Sequence, residues 1–196
     1  MRHFCNGLER TVEDFYHWAY GDVFTNTIRA AIGEYLVACA LDLDHGRRSS
    51  WDGYDFLIEG IRLEVKSSAC FVSGKCPTKS NTYDIEPRFA SWHGDGTLIS
   101  VDGSARRCAH VYVFAHHWST DQETADTLDV SQWHFYVVPT SWIDEHFGSQ
   151  KTISRDKIAR HYSPTPFAHL RGAILQSGRI VGAEPAAAAV ANIVRL

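Results

Sequence analysis

The sequence predicts a single α/β domain with a mixed central sheet flanked by helices. Three observations favour this class: a strong helical segment precedes two adjoining strand segments, two further strands rich in valine and aromatic residues follow, and the chain then returns to helix. At 196 residues the chain can bury one substantial core, whereas two full domains would be cramped. We expect one domain over 1–196, with its core over about 11–175 and a helical or partly disordered tail over 184–196.

Composition and charge are typical of a soluble globular protein, with 44% hydrophobic and 21% charged residues. No apolar run is long enough to span a membrane, and residues 1–16 lack the apolar core of a signal peptide. Five scattered cysteines agree with reduced thiols, so we expect a cytoplasmic protein without membrane contact. The net charge of −4 argues against a non-specific nucleic-acid coat but not against a nucleic-acid enzyme, whose metal-binding carboxylates lower the count.

Two helices are predicted before residue 42. Residues 11–20 start with Thr11 followed by acidic residues, which is typical of a capped helix start. Residues 25–41 form the strongest helix, and because apolar side chains fall on both of its sides we expect it to be buried all round. Glu34 lies within one of those apolar sides. A buried carboxylate is costly unless a cation meets it.

A tight hairpin follows, with strands over 54–58 and 61–69 separated by Glu59-Gly60. Strand side chains alternate between the two faces of a sheet. The second strand therefore places four polar side chains on one face: Arg62, Glu64, Lys66 and Ser68.

The register of this hairpin selects Asp55 rather than Asp52 as the neighbour of Glu64. A two-residue turn places Asp55 directly opposite Glu64, with Cβ atoms about 4.5–5.5 Å apart, so that the two carboxylates can share a hard cation. The same count places Asp52 opposite Ser67, on the other face. We therefore expect Asp52 to cap the turn that leads into the hairpin.

The remainder of the chain alternates polar connections with short elements. Residues 71–107 are predicted to be irregular, with one strand near 83–89, and two clear strands are predicted over 110–118 and 133–140. Short helices are expected at about 141–147, 154–161 and 167–175.

The Glu64-x-Lys66 pattern alone is common and usually marks a surface ion pair. Here a hairpin strand carrying Asp55 precedes it, and a predicted buried helix carrying Glu34 precedes both. Three carboxylates that converge beside one lysine are suited to bind a hard divalent cation and to orient a water molecule.

Glu34 on a helix, then Asp55, then Glu64-Val65-Lys66 on the following strand resemble the PD-(D/E)xK, or restriction-endonuclease-like, nucleases. The resemblance covers roughly 11–140 in order and spacing, and its most specific part is WDGYDFLIEGIRLEVKSSA. One departure is plain, since no proline precedes Asp55.

This resemblance implies a Mg²⁺-dependent endonuclease that hydrolyses phosphodiester bonds of DNA, most simply duplex DNA, in bacterial defence or DNA processing, with Mn²⁺ able to substitute. It implies that Asp55 and Glu64 bind the metal, helped by the backbone carbonyl of Val65. Glu34 would complete the site as a second-metal or water-mediated ligand.

The resemblance also implies that Lys66 orients and helps to deprotonate the attacking water and offsets charge in the transition state. Ser68 would hold the water or a phosphate oxygen, or would merely tolerate solvent. We expect a homodimer, because one active site per chain cuts both strands most simply as a two-fold pair. The alternative is a catalytically silent nucleic-acid-binding or scaffold protein of the same fold, which the intact set of Asp55, Glu64 and Lys66 disfavours.

Overall fold

The computed structural model describes residues 7–46, 48, 53–78, 81–92, 98–100 and 104–180. The helices within these residues are α1 (Val12–Tyr20), α2 (Asn26–Leu41), α3 (Thr140–Phe147), α4 (Arg155–Ala159) and α5 (Leu170–Ile180). The strands are β1 (Phe56–Ile58), β2 (Ile61–Ala69), β3 (Phe71–Val72), β4 (Cys76–Pro77), β5 (Thr82–Asp84), β6 (Ala90–Trp92), β7 (Leu98–Ser100), β8 (Val111–His117), β9 (Trp133–Pro139) and β10 (Thr152–Ser154).

Helix α1 begins where its capping residues predict. Thr11 Oγ1 accepts from the Asp14 N–H at 3.0 Å, and Asp14 Oδ2 accepts from the Thr11 N–H at 2.7 Å, which is a capping box. The predicted helix over 11–20 is confirmed.

Helix α2 is capped by Thr25 and ends at Asp42, which adopts a left-handed backbone conformation with φ +62°. Our expectation that this helix is buried all round is wrong, because it packs on the sheet with one face and Tyr35 on the other is 56% exposed. Gly33 allows close packing, since a Cβ there would lie only 3.2 Å from the Ser67 Cβ. The buried face consists of Arg29, Gly33, Glu34, Val37, Ala38 and Leu41.

A four-stranded mixed sheet forms the centre, in the order β1-β2-β8-β9. Strand β2 pairs antiparallel with β1 and parallel with β8, and β8 pairs antiparallel with β9. Every residue of β8 is buried, because both faces of the sheet are covered there. The predicted fold class, α/β with a mixed central sheet and flanking helices, is confirmed at this level.

The hairpin between β1 and β2 forms with the predicted two-residue turn. Glu59 and Gly60 both have positive φ, 50° and 81°, as a type I′ turn requires. The pairs Ile58–Ile61, Leu57–Arg62 and Phe56–Leu63 confirm the predicted register over β1.

Two hydrophobic cores lie on opposite faces of the sheet. The first packs α2 and α5 on the sheet, and its members include Val37, Leu63, Val113, Leu170 and Ile174. The second lies beneath α3, α4 and the β5–β10 pair, and its members include Tyr83, Phe114, Val138, Ile143 and Ile158.

The connection between the two halves of the sheet contains more strand than we predicted. Residues 71–107 hold β3 to β7, of which only β5 overlaps the strand expected near 83–89. These strands have two or three residues each and pair outside the main sheet, so they carry too few alternating positions to be recognised.

The expected strands and helices of the second half are present, with ends displaced by a few residues. Strands β8 and β9 correspond to the strands predicted over 110–118 and 133–140. Helices α3, α4 and α5 correspond to the three predicted short helices. In the described part of the chain, no helix combines the length and apolarity that a membrane crossing needs. The tail over 184–196 lies outside the described residues.

Candidate active site

Asp55 lies immediately before β1 and is held by the backbone of β2. Its N–H donates to the Leu63 carbonyl at 2.8 Å, and its Oδ2 accepts from the Val65 N–H at 2.6 Å. Leu63 is already the ladder partner of Phe56, so Asp55 is not the paired residue of Glu64 that direct counting predicts. The β1–β2 ladder ends at the pair Phe56–Leu63, one residue short of the predicted pair, because the side chain of Asp55, and not its backbone, accepts from the Val65 N–H.

The backbone contact of Val65 also fixes where its carbonyl points. In a strand, the N–H and C=O of one residue face the same neighbour. Because the Val65 N–H points to Asp55, the Val65 carbonyl faces the same edge of β2. The carbonyl predicted as a metal ligand is therefore on the Asp55 side of the strand.

Glu64 and Lys66 form an ion pair on one face of β2, between Glu64 Oε1 and Lys66 Nζ. Their side chains are 16% and 25% exposed. Burial by itself lowers the pKa of Lys66, but the adjacent Glu64 carboxylate outweighs it and the pKa is raised. Lys66 is therefore an ammonium at neutral pH, a hydrogen-bond donor and a positive charge.

Glu34 meets its cation in Arg48 and not in Lys66. Arg48 Nε lies 2.5 Å from Glu34 Oε2, and Arg48 Nη2 lies 2.7 Å from Glu34 Oε1, so the pair is bidentate. The buried carboxylate on α2 thus has the positive partner that its burial requires.

Three carboxylates act on one another at this site. Burial, followed by repulsion from Glu64 and Glu34, raises the pKa of Asp55 to about 7. Burial also raises the pKa of Glu64, against the opposing effect of Lys66. Asp55 is the only one of the three without an ion-pair partner among the described residues.

A cleft of about 350 Å³ opens beside Asp55, between α2 and the start of β1. The described residues that line it include Glu34, Arg48 and Asp55, but not Glu64 or Lys66. Asp55 is therefore the residue that joins this cleft to the edge of strand β2.

Ser68 points to a neighbour other than Lys66. Its Oγ lies 2.9 Å from His116 Nδ1 on β8, the strand residue with which Ser68 pairs. Both side chains are buried, at 4% and 1% exposure. The Ser68 hydroxyl thus has a protein partner and is closed off from solvent.

The carboxylates of Glu34, Asp55 and Glu64 do not form a compact three-ligand cluster. Among the described residues, the one group of three whose ligand atoms lie within 4.8 Å of one another is Asp42, Asp44 and His45, near the end of α2. Asp42 and His45 are exposed. The predicted site therefore offers Asp55 and Glu64 with a backbone carbonyl, while Glu34 is engaged by Arg48.

Asp52, which we weighed against Asp55, lies outside the described residues. Sequence reasoning missed Arg48 and His116 as neighbours of the site. The sequence indicated only that the buried carboxylate of Glu34 needs a positively charged partner. It did not identify Arg48 as that partner.

No family model, no curated protein and no solved structure matches the chain. The resemblance to the PD-(D/E)xK nucleases therefore rests on the motif alone.

Proposed function

We propose that this protein is a Mg²⁺-dependent endonuclease that hydrolyses phosphodiester bonds of DNA. The observation that carries the proposal is the meeting of Asp55 with the strand that presents Glu64 and Lys66. Two partly buried acids whose pKa values are raised stand beside a partly buried ammonium. Perturbed groups of this kind cluster at catalytic sites.

The donor set fits a hard divalent cation. Asp55 uses Oδ2 for Val65 and Glu64 uses Oε1 for Lys66, which leaves one oxygen of each carboxylate without a partner among the described residues. The Val65 carbonyl faces the same edge. Oxygen donors of this type are the ligands that Mg²⁺ takes.

Charge supports the same conclusion. Asp55, Glu64 and Glu34 together carry more negative charge than Lys66 and Arg48 balance, and this surplus adds to the effect of burial in raising the pKa of Asp55. A bound divalent cation would offset it. Mn²⁺, which takes the same ligands in the same geometry, should substitute.

Mg²⁺, when bound, polarises a phosphoryl oxygen and lowers the pKa of a coordinated water. The residues of the chain would hold the cation through Asp55, Glu64 and the Val65 carbonyl. Lys66, as an ammonium, would orient the attacking water and offset negative charge on the phosphate in the transition state. Its raised pKa favours this role over proton abstraction by a neutral amine.

The predicted roles of Ser68 and Glu34 are modified. The hydrogen bond between Ser68 and His116 favours a structural role for Ser68 over contact with water or phosphate. Glu34 remains a predicted ligand, but only if Arg48 releases it.

The test is incubation of the purified protein with supercoiled plasmid, linear duplex and single-stranded DNA, each in Mg²⁺, Mn²⁺ or EDTA. We expect nicking or linearisation of the plasmid in either metal and none in EDTA. DNA binding without cleavage in any metal would instead favour the catalytically silent binding protein.

A further inference from the structure

Arg48 makes an ion pair that leaves part of its guanidinium unused. An arginine has five N–H donors, of which Glu34 takes one on Nε and one on Nη2. No other acceptor for Arg48 lies among the described residues. The Arg48 side chain is 54% exposed, whereas that of Glu34 is 11% exposed.

The buried carboxylate of Glu34 therefore holds the exposed guanidinium of Arg48 in a fixed position at the surface. Bidentate pairing restrains both the position and the plane of the guanidinium. The remaining donors are held in that plane at the cleft beside Asp55.

An anionic ligand that enters this cleft depends on Arg48 for favourable electrostatic contact. Among its described lining residues, Arg48 is the only cation, and the acids are Glu34, Asp44 and Asp55. A cleft lined by carboxylates alone would repel a DNA strand. An ordered guanidinium matches the geometry of phosphate oxygens.

We propose that Arg48 binds a non-bridging phosphate oxygen of the DNA strand at this cleft, and that Glu34 positions Arg48 for that contact. This inference rests on the proposed function, because it assigns the phosphate to DNA. Arg48 touches the substrate, and Glu34 acts through Arg48. A purely structural pair would stabilise the fold and leave the salt dependence of DNA binding unchanged.

The experiment measures binding of a fluorescein-labelled DNA duplex by anisotropy, at fixed Mg²⁺ and several NaCl concentrations. It is done in the Lys66→Ala background, where cleavage should be too slow to consume the DNA during the measurement. Adding Arg48→Ala should weaken binding about tenfold and lower the slope of log K against log salt by about one, because one phosphate contact is lost. Arg160→Ala, an exposed arginine after α4, is the matched control for net charge and should leave the slope unchanged.

Two further variants separate contact from folding. Arg48→Ala leaves a buried carboxylate unpaired, so the double variant Glu34→Gln/Arg48→Ala, which removes both charges, should show the same reduced slope with a restored melting temperature. Glu34→Gln alone should keep the slope, because Arg48 keeps its charge. In the otherwise wild-type protein, Glu34→Gln should lower the cleavage rate but not the affinity for Mg²⁺, because the guanidinium loses its charged anchor while Asp55 and Glu64 still hold the metal; a lower Mg²⁺ affinity would overturn the positioning role and make Glu34 a metal ligand.

The outcomes distinguish this inference from the proposed function. An unchanged slope in Arg48→Ala and in the double variant would overturn the phosphate contact, while cleavage by the wild-type protein would keep the nuclease assignment. A reduced slope in a protein that cuts no DNA in any metal would keep the contact and overturn the assignment. If neither the wild-type protein nor the Lys66→Ala parent binds DNA, and the wild-type protein cuts none, both are wrong.

Discussion

The carboxylate of Asp55 is fixed by the strand that carries the other site residues, since its Oδ2 accepts from the Val65 N–H at 2.6 Å. That bond ties the residue before β1 to the stretch of β2 between Glu64 and Lys66. Asp55 is thereby held where burial, followed by repulsion from Glu64 and Glu34, raises the pKa of its carboxyl group. Repulsion held in this way has consequences for stability and for metal binding.

The substitution Asp55→Asn should abolish metal binding and raise stability in EDTA at pH 8. Asparagine retains an oxygen that can accept from Val65, while the repulsion from Glu64 and Glu34 disappears. We expect the melting temperature in EDTA to rise by a few degrees, and Mg²⁺ to give no further increase. Calorimetric titration with Mg²⁺ and thermal unfolding with and without EDTA provide the two measurements.

Asp52→Asn is the matched control for Asp55→Asn, since both change one acid in the same short stretch. It should bind Mg²⁺ like the wild-type protein. If Asp52→Asn loses the metal and Asp55→Asn keeps it, the assignment of the ligand is wrong.

The substitution Lys66→Ala should lower the rate of DNA cleavage at least about a hundredfold, which is the usual scale for losing one group that stabilises charge in the transition state. The fold should remain, because β2 is paired on both sides and its apolar face is unaffected. Cleavage rates in Mg²⁺ and circular dichroism spectra measure the two effects.

Lys151→Ala is the control for loss of a lysine from an ion pair. Lys151 pairs with Glu86 at 2.6 Å, but its side chain is 73% exposed and is not among the described residues that line the cleft beside Asp55. It should cut DNA at the wild-type rate. Cleavage by Lys66→Ala at that same rate would remove Lys66 from the mechanism.

The hairpin was predictable because its signals are local. A two-residue turn with glycine and strict alternation over residues 61–66 fix both the turn and the register. The end of the ladder before Asp55 was not predictable, since there the Asp55 side chain takes the place of a backbone carbonyl as the acceptor for the Val65 N–H. The choice between side-chain and backbone bonding at the end of a ladder depends on where the incoming chain lies.

The partner of Glu34 could not be identified from sequence for a different reason. Arg48 is 14 residues away through a polar loop, and no helical or strand period relates the two positions. The contact between Ser68 and His116 likewise needs the knowledge that β2 and β8 are parallel neighbours. The sequence indicates which residues are buried and alternate, whereas contacts across loops and crossovers depend on tertiary packing.

A homodimer remains our expectation for a nuclease that cuts both strands of a duplex. Light scattering at tens of micromolar should give about twice the mass of the 22.0 kDa chain without DNA, and the same protein mass plus that of the duplex with DNA. A mass of one chain under both conditions would contradict this expectation.

The last prediction concerns acid stability and the buried pair of Ser68 and His116. Burial, assisted by the positive charge of Arg155, lowers the pKa of His116 to about 3. An unfolded histidine has a pKa of about 6.5, so below that pH the unfolded chain binds a proton that the folded protein does not. The neutral histidine therefore gives its full contribution to stability above pH 6.5 and loses it as the pH falls, by about 1.4 kcal/mol per pH unit.

His116→Gln should remove this loss, because glutamine does not titrate in this range. Between pH 6.5 and pH 5, the free energy of unfolding of the wild-type protein should fall by about 2 kcal/mol more than that of the variant. Urea denaturation at several pH values measures the difference, in which the contributions of the other titrating groups cancel. His45→Gln, at an exposed histidine, is the control for the substitution itself. Parallel curves for His116→Gln and the wild-type protein would mean that His116 titrates in the folded state as it does in the unfolded chain, and that its burial does not suppress the charge.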